Sequence, residues 1–245
     1  MAAVRILAAW AALLALAVSC RTGERQSCAP VAADTGYDFG NISLDDGPVS
    51  CTFAIANDGT EPFSVIYAVP SCGCVGVEVP ASPVVPGDSA LIQVTYSHKG
   101  LPSVFSHSVQ VYLSNRVTPV VLSLGGTVHG SRRMLRKEFG PYATGDLGLR
   151  EREYRSADLY RGFCVVELAT VANLGRRPLE VGFTNVSDGL EISVTPNPVP
   201  PLCTAEMRMT VHSGPSVSGE ITSRATPVLN GKVQGGGISV KTRIK

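Results

Sequence analysis

Apolar and polar residues alternate along most of this chain with a period of two. Ala90, Ile92, Val94 and Tyr96 alternate with Ser89, Leu91, Gln93 and Thr95, and only Leu91 interrupts the polar face. Val109, Val111 and Leu113 alternate with Ser108, Gln110 and Tyr112; Met207, Met209 and Val211 alternate with Arg208, Thr210 and His212. Such alternation places one face of each segment in a core and the other in solvent, which predicts half-buried antiparallel strands. Asp58-Gly59, Pro86-Gly87-Asp88, Gly125-Gly126 and Asn230-Gly231 punctuate the runs as turns. No long stretch past residue 19 carries an apolar stripe at helical spacing. The expected fold is all-β, with two tandem immunoglobulin-like β-sandwiches.

An internal repeat supports that division. Phe53-Ala54-Ile55-Ala56-Asn57 runs into Gly59 and Pro62, and Ala169-Thr170-Val171-Ala172-Asn173 runs into Gly175 and Pro178. In each copy a strand ends at Asn, Gly turns the chain and Pro restarts an extended segment. The residue types suggest a turn with left-handed backbone, which Asn tolerates and Gly adopts freely. The expected boundaries are a first module over 36–130, a linker over 131–141 and a second module over 142–245. Ser131-Arg132-Arg133-Met134-Leu135-Arg136-Lys137-Glu138 reads as a solvated connector, and Arg150-Glu151-Arg152-Glu153-Tyr154-Arg155 as a hairpin or insertion early in module two.

The N-terminus departs from the pattern. Arg5 precedes an unbroken apolar run from Ile6 to Val18, then Ser19-Cys20. That run is shorter than the roughly 20 residues a spanning helix needs and fits a signal peptide over 1–19. Leu16-Ala17-Val18-Ser19-Cys20 resembles the lipobox of bacterial lipoproteins. The resemblance implies a lipidated Cys20, a tether over 20–35 and a membrane partner reached through the anchor, in the outer membrane facing the periplasm. Losing Arg5 with the signal brings the 21 basic residues level with the 20 acidic ones. A neutral mature chain argues against nucleic acid as partner.

Phe39-Gly40-Asn41-Ile42, Phe53 to Pro62, Ser71-Cys72-Gly73-Cys74 and Pro86-Gly87-Asp88, with a strand ending Val94-Thr95-Tyr96, occur in order. Over residues 36–130 this set resembles a bacterial domain-of-unknown-function family in the hydin-like (ASH-type) immunoglobulin-fold group of Bacteroides-type envelope lipoproteins. Val75 stands where that family usually has threonine. The resemblance implies an immunoglobulin-like sandwich and an envelope role, and no catalytic activity. Module two matches only through its Asn-x-Gly-x-x-Pro turn and lacks the Cys-Gly-Cys segment.

The seven cysteines, Cys20 aside, leave Cys28, Cys51, Cys72, Cys74, Cys164 and Cys203. In an oxidising compartment these suggest disulfides. The simplest pairing joins Cys164 to Cys203, with Cys51 bonded to Cys72 or Cys74. A direct Cys72–Cys74 bond is the strained alternative, since Gly73 alone separates them. Two thiolates that close also suit copper(I) or zinc, with a distant histidine such as His98 or His107 completing the shell. A thioredoxin-like site would need Cys-x-x-Cys at a helix N-terminus, which is missing. No serine-nucleophile elbow, phosphate loop, dinucleotide fingerprint or His-Glu-x-x-His segment occurs. The expected function is non-catalytic and cofactor-free, with sandwich modules contacting an unidentified envelope protein. The alternative is a periplasmic soft-metal or thiol-exchange protein acting through Cys72 and Cys74. Sparse aromatics argue against a small-molecule or sugar substrate.

Overall fold

The computed structural model describes residues 35–98 and 100–245. The expected signal peptide over 1–19, Cys20 and Cys28 lie outside the described residues. Module one holds β1 (Gly36–Ser43), β2 (Val49–Ala56), β3 (Val65–Pro70), β4 (Val75–Glu78), β5 (Ser89–Tyr96), β6 (Val104–Leu113) and β7 (Val120–His129). A short helix, α1 (Arg132–Phe139), follows. Module two holds β8 (Leu147–Leu149), β9 (Glu153–Arg155), β10 (Cys164–Asn173), β11 (Val181–Thr184), β12 (Leu190–Thr195), β13 (Thr204–His212), β14 (Gly219–Leu229), β15 (Lys232–Val233) and β16 (Ile238–Ile244).

Each module is a sandwich of two sheets. In module one the order β1-β7-β6-β3 faces β2-β5-β4; in module two β12-β13-β10-β8 faces β11-β14-β16-β9, with β15 beside β14. The alternating residues fill the cores as their period requires. Ile92, Val94, Val109, Val111 and Leu122 are fully enclosed in one, and Met207, Met209, Val171 and Val240 in the other. Each such side chain contributes about 1.5–3 kcal/mol on burial. Leu91, out of step with its strand, lies exposed on the outer face of β5.

Two expectations need correction. The run Arg150–Arg155 is neither a hairpin nor an insertion. β8 pairs antiparallel with β10 in one sheet, while β9 pairs parallel with β16 in the other. The opening strand of module two is thus divided between both sheets, and the charged residues lie where the chain crosses over. The segment 131–141 is not a solvated connector either. Ser131 caps α1 by accepting from the Met134 N–H at 3.2 Å, and Leu135 and Phe139, four apart on one face, are fully buried. They pack with Ala172 and Leu174 of module two and with Leu101 of module one. A Cβ on Gly148 would stand 2.8 Å from the Phe139 Cβ, so β8 needs glycine where the helix docks.

The modules meet through main-chain bonds. Thr204 donates from its N–H and its hydroxyl to the Pro102 carbonyl at 2.6 and 2.7 Å. The Gly130 N–H donates to Leu202 at 2.9 Å, and the His129 ring lies 2.7 Å from the Pro201 carbonyl.

The repeated turn is built as a buried anchor. Asn57 and Asn173 are almost wholly enclosed. Asn57 Nδ2 donates to the carbonyls of Glu61 and Val84, and its Oδ1 accepts from Gly59. Asn173 repeats this with Arg177, Val199 and Gly175. Phe63 then bridges to Val84 as Leu179 does to Val199. Neither asparagine has a positive φ, and neither does Gly175. The left-handed backbone expected there lies elsewhere, at Gly87 (φ 84°) and its counterpart Leu202 (φ 55°). The amide is selected because it can donate twice and accept once, which two strand ends and a turn require.

Candidate functional site: a sulfur–imidazole corner and an apolar face

The Cys-Gly-Cys segment is the corner where module one crosses from one sheet to the other, between β3 and β4. The corner is tied at both ends. Ser71 donates its N–H to the Ser108 carbonyl at 2.8 Å, and Ser97 donates to the Cys74 carbonyl at 2.8 Å. Cys72 and Cys74 are bonded to each other. On β6 the inward positions are Phe105, His107, Val109 and Val111, so His107 points between the sheets. Its Nε2 stands 3.4 Å from Cys74 Sγ, and one donor atom from each of Cys72, Cys74 and His107 lies within 4.8 Å of the others.

Aromatic rings floor this corner. Tyr96 stacks on Phe105 with centroids 3.9 Å apart, and the His107 ring lies 5.6 Å from Tyr96 and 5.9 Å from Phe105. Burial holds the His107 imidazolium below its ordinary pKa, so the neutral ring, with one lone pair to give, prevails at neutral pH. His98 stands beside the same tyrosine, 6.1 Å away, with a buried Nδ1 lacking a hydrogen-bond partner. The structure therefore brings one of the two candidate histidines, His107, to the sulfurs.

Among the described residues the other expected bridges are absent. Cys51 is a free thiol buried in the core beside Phe53 and Ile55, and Cys72 and Cys74 already share a bond. Cys164 and Cys203 are also free. On the β10–β13 ladder Cys164 faces His212, whereas Cys203 precedes Thr204, which faces Ala172. Eight residues of strand separate the two ends, roughly 26 Å at about 3.3 Å each; a disulfide spans less than about 7 Å between Cα atoms. Cys203 instead faces module one, its Sγ 3.3 Å from the Val128 carbonyl.

Burial raises the Cys51 thiol and pushes Cys203 up to about 12. Both remain protonated at pH 8, where the thiolate is the reactive form. Iodoacetamide at pH 8 should therefore label exposed Cys164 in the folded chain, and Cys51 and Cys203 only after denaturation. Labelling of all three at equal rates in the native state would contradict the enclosure described here. Peptide mass mapping reads the result.

A second feature lies on the outer face of the same sandwich. The outer face of β3, β6 and β7 carries Tyr67, Val69 and Val121, each close to half exposed, with Ile66 and the loop residue Val117 more exposed still. Tyr67 stacks on Tyr112 at 4.4 Å, and Gln110 separates Val69 from Val121 across the ladder. Ile66 projects from a register shift in β3, an edge strand of its sheet. Strand alternation alone would assign these outward positions to polar residues, so their apolar character was visible in the sequence; their convergence on one patch was not.

Residues 31–128 match a family described as "Protein of unknown function (DUF1573)". No curated protein matches the chain. Among solved structures, an endo-fucoidan hydrolase of glycoside hydrolase family 107 overlays at TM-score 0.36 and 9% identity, over 89% of this chain and 29% of that one. The chain thus spans under a third of that enzyme's length. A protein of unknown function from Porphyromonas gingivalis W83 overlays at TM-score 0.34 and 12% identity, covering 87% of this chain and 98% of its own. The YadV chaperone overlays at 0.30 and 14%, with 87% and 98% covered.

Proposed function

We propose that this chain is a non-catalytic envelope protein, anchored through lipid on Cys20, that binds a protein partner through the outer face of module one. The observation that carries the reading is the exposed apolar row on the outer face of module one, where Val69 and Val121 flank Gln110 and Tyr67 stacks on Tyr112. Contiguous apolar area of this kind, with tyrosines at its centre, is characteristic of protein-contact surfaces. Ile66 lies on the edge strand β3, where a partner can also add main-chain hydrogen bonds. The hydin-like resemblance and the lipobox-like Cys20 support an envelope location at the periplasmic face of the outer membrane. The bonds at Pro102, Gly130 and Thr204 join the two modules, and none of them involves the patch residues.

The test places a photo-crosslinking amino acid at position 69 or 121 in the living host, with position 193 on the exposed outer face of β12 as control. Discrete adducts should form at 69 and 121 and disappear when Tyr67→Asp is added. Palmitate incorporation should be lost in Cys20→Ser. Equal crosslinking at all three positions would remove the reading.

A further inference from the structure

We propose that Cys72, Cys74 and His107 form a copper(I) site, opened when an external dithiol reduces the Cys72–Cys74 bond. This goes beyond the contact role above and stands on different residues. Two sulfurs and an imidazole nitrogen already lie within 4.8 Å of one another, on a corner and a strand held by hydrogen bonds. Donors bound at about 2.0–2.3 Å to one ion in a three-coordinate ring stand roughly 3.5–4 Å apart. The existing Cys74–His107 separation of 3.4 Å is close to that spacing. Only the two sulfurs must move apart once their bond breaks. Gly73 between them would allow this, because an added Cβ there would meet nothing within 4 Å.

The donor chemistry selects the metal. Thiolates are soft ligands and favour copper(I) or zinc. Structural zinc would need a fourth protein ligand, and a zinc held by two cysteines and one histidine would need a water in the fourth position, whereas the group among the described residues supplies three donors. Copper(I) accommodates three soft donors, and the Tyr96–Phe105 floor shields one side of such a site from water.

The chemistry balances with a dithiol as reductant. The dithiol delivers two electrons and two protons, the Cys72–Cys74 bond breaks into two thiols, and the reductant closes as its own disulfide. Copper(I) then binds both sulfurs with release of two protons, and His107 Nε2 completes the shell. In the oxidised chain the sulfurs have no thiolate to offer, so the bond acts as the gate.

The experiment uses the chain as processed by its host, carrying Cys164→Ser to remove the exposed free thiol, in oxidised and dithiothreitol-reduced forms. Each is titrated anaerobically with copper(I) against a chromophoric chelator. The reduced form should bind one copper per chain and the oxidised form none. Peptide mapping should show Cys72 and Cys74 protected from alkylation by copper, a readout that needs no further variant. His107→Ala should weaken binding at least as much as the roughly 10–100-fold typical of outer-shell changes. The site is overturned if copper leaves the alkylation of Cys72 and Cys74 unchanged. Equal copper binding by the oxidised chain overturns the gate, and tighter binding of zinc(II) than of copper(I) in the same competition overturns the metal.

Discussion

Phe139→Ala should destabilise module two by about 3–5 kcal/mol, the range for losing a fully buried phenylalanine. Phe139 is completely enclosed, and its ring also carries the Arg150 guanidinium 4.9 Å from its centroid. Its Cβ packs on Gly148 so closely that no larger residue fits at that point of β8. Truncation leaves a cavity walled by Leu135, Ala172 and Leu174, which strands β8 and β10 cannot close without breaking their pairing. An eight-residue helix has almost no stability of its own, so α1 should detach. Two readouts follow: a lower urea midpoint for module two, and faster tryptic cleavage within Arg132, Arg133, Arg136 and Lys137. An unchanged midpoint, with α1 still resistant to trypsin, would show that the helix does not depend on this contact.

Asn173→Ala should cost about 3 kcal/mol or more. The substitution removes three side-chain hydrogen bonds at once, to Arg177, Val199 and Gly175, at a position with no exposure to water. Each net hydrogen bond is worth about 1 kcal/mol, and each group left buried without a partner costs about 1–3 kcal/mol. Asn173→Asp discriminates this account from a turn-propensity effect. Aspartate suits turns equally well but offers no amide donors, and it would aim a carboxylate at two carbonyl oxygens. Aspartate should therefore be at least as damaging as alanine. If Asp at this position is tolerated within about 0.5 kcal/mol, a level typical of neutral surface changes, the buried-anchor account fails. The backbone of Asn173 also bonds Leu202 and Cys203, which border module one, so loosening should extend to the junction. Asn57, whose side chain makes the equivalent three bonds to Glu61, Val84 and Gly59 in module one, should lose stability without affecting the junction.

Much of the architecture was legible in residue order. Alternation at Ala90–Tyr96 and Val109–Leu113 identifies strands and their inner faces, and the repeated Asn-x-Gly-x-x-Pro marks two related modules. The reason for that repeat was not legible, because Val84 and Val199, which accept from the asparagines, lie 27 and 26 residues away. Helix α1 escaped for a related reason. Eight residues hold too few turns for an apolar stripe, and its two buried positions stand among four basic residues.

The cysteines mark the boundary most sharply. Residue order by itself determined that Cys72 and Cys74 are close, that module two holds Cys164 and Cys203, and which strand faces are apolar, since these follow from chain spacing and a period of two. The tertiary structure alone decided that Cys164 and Cys203 lie at opposite ends of a ladder, that His107 reaches the sulfurs while His98 does not, and that Leu135 and Phe139 find a core. Strand periodicity is a local property of the backbone. Which side chains meet across 33 residues, as Cys74 and His107 do, is set by sheet register and by the corner that carries β3 into β4.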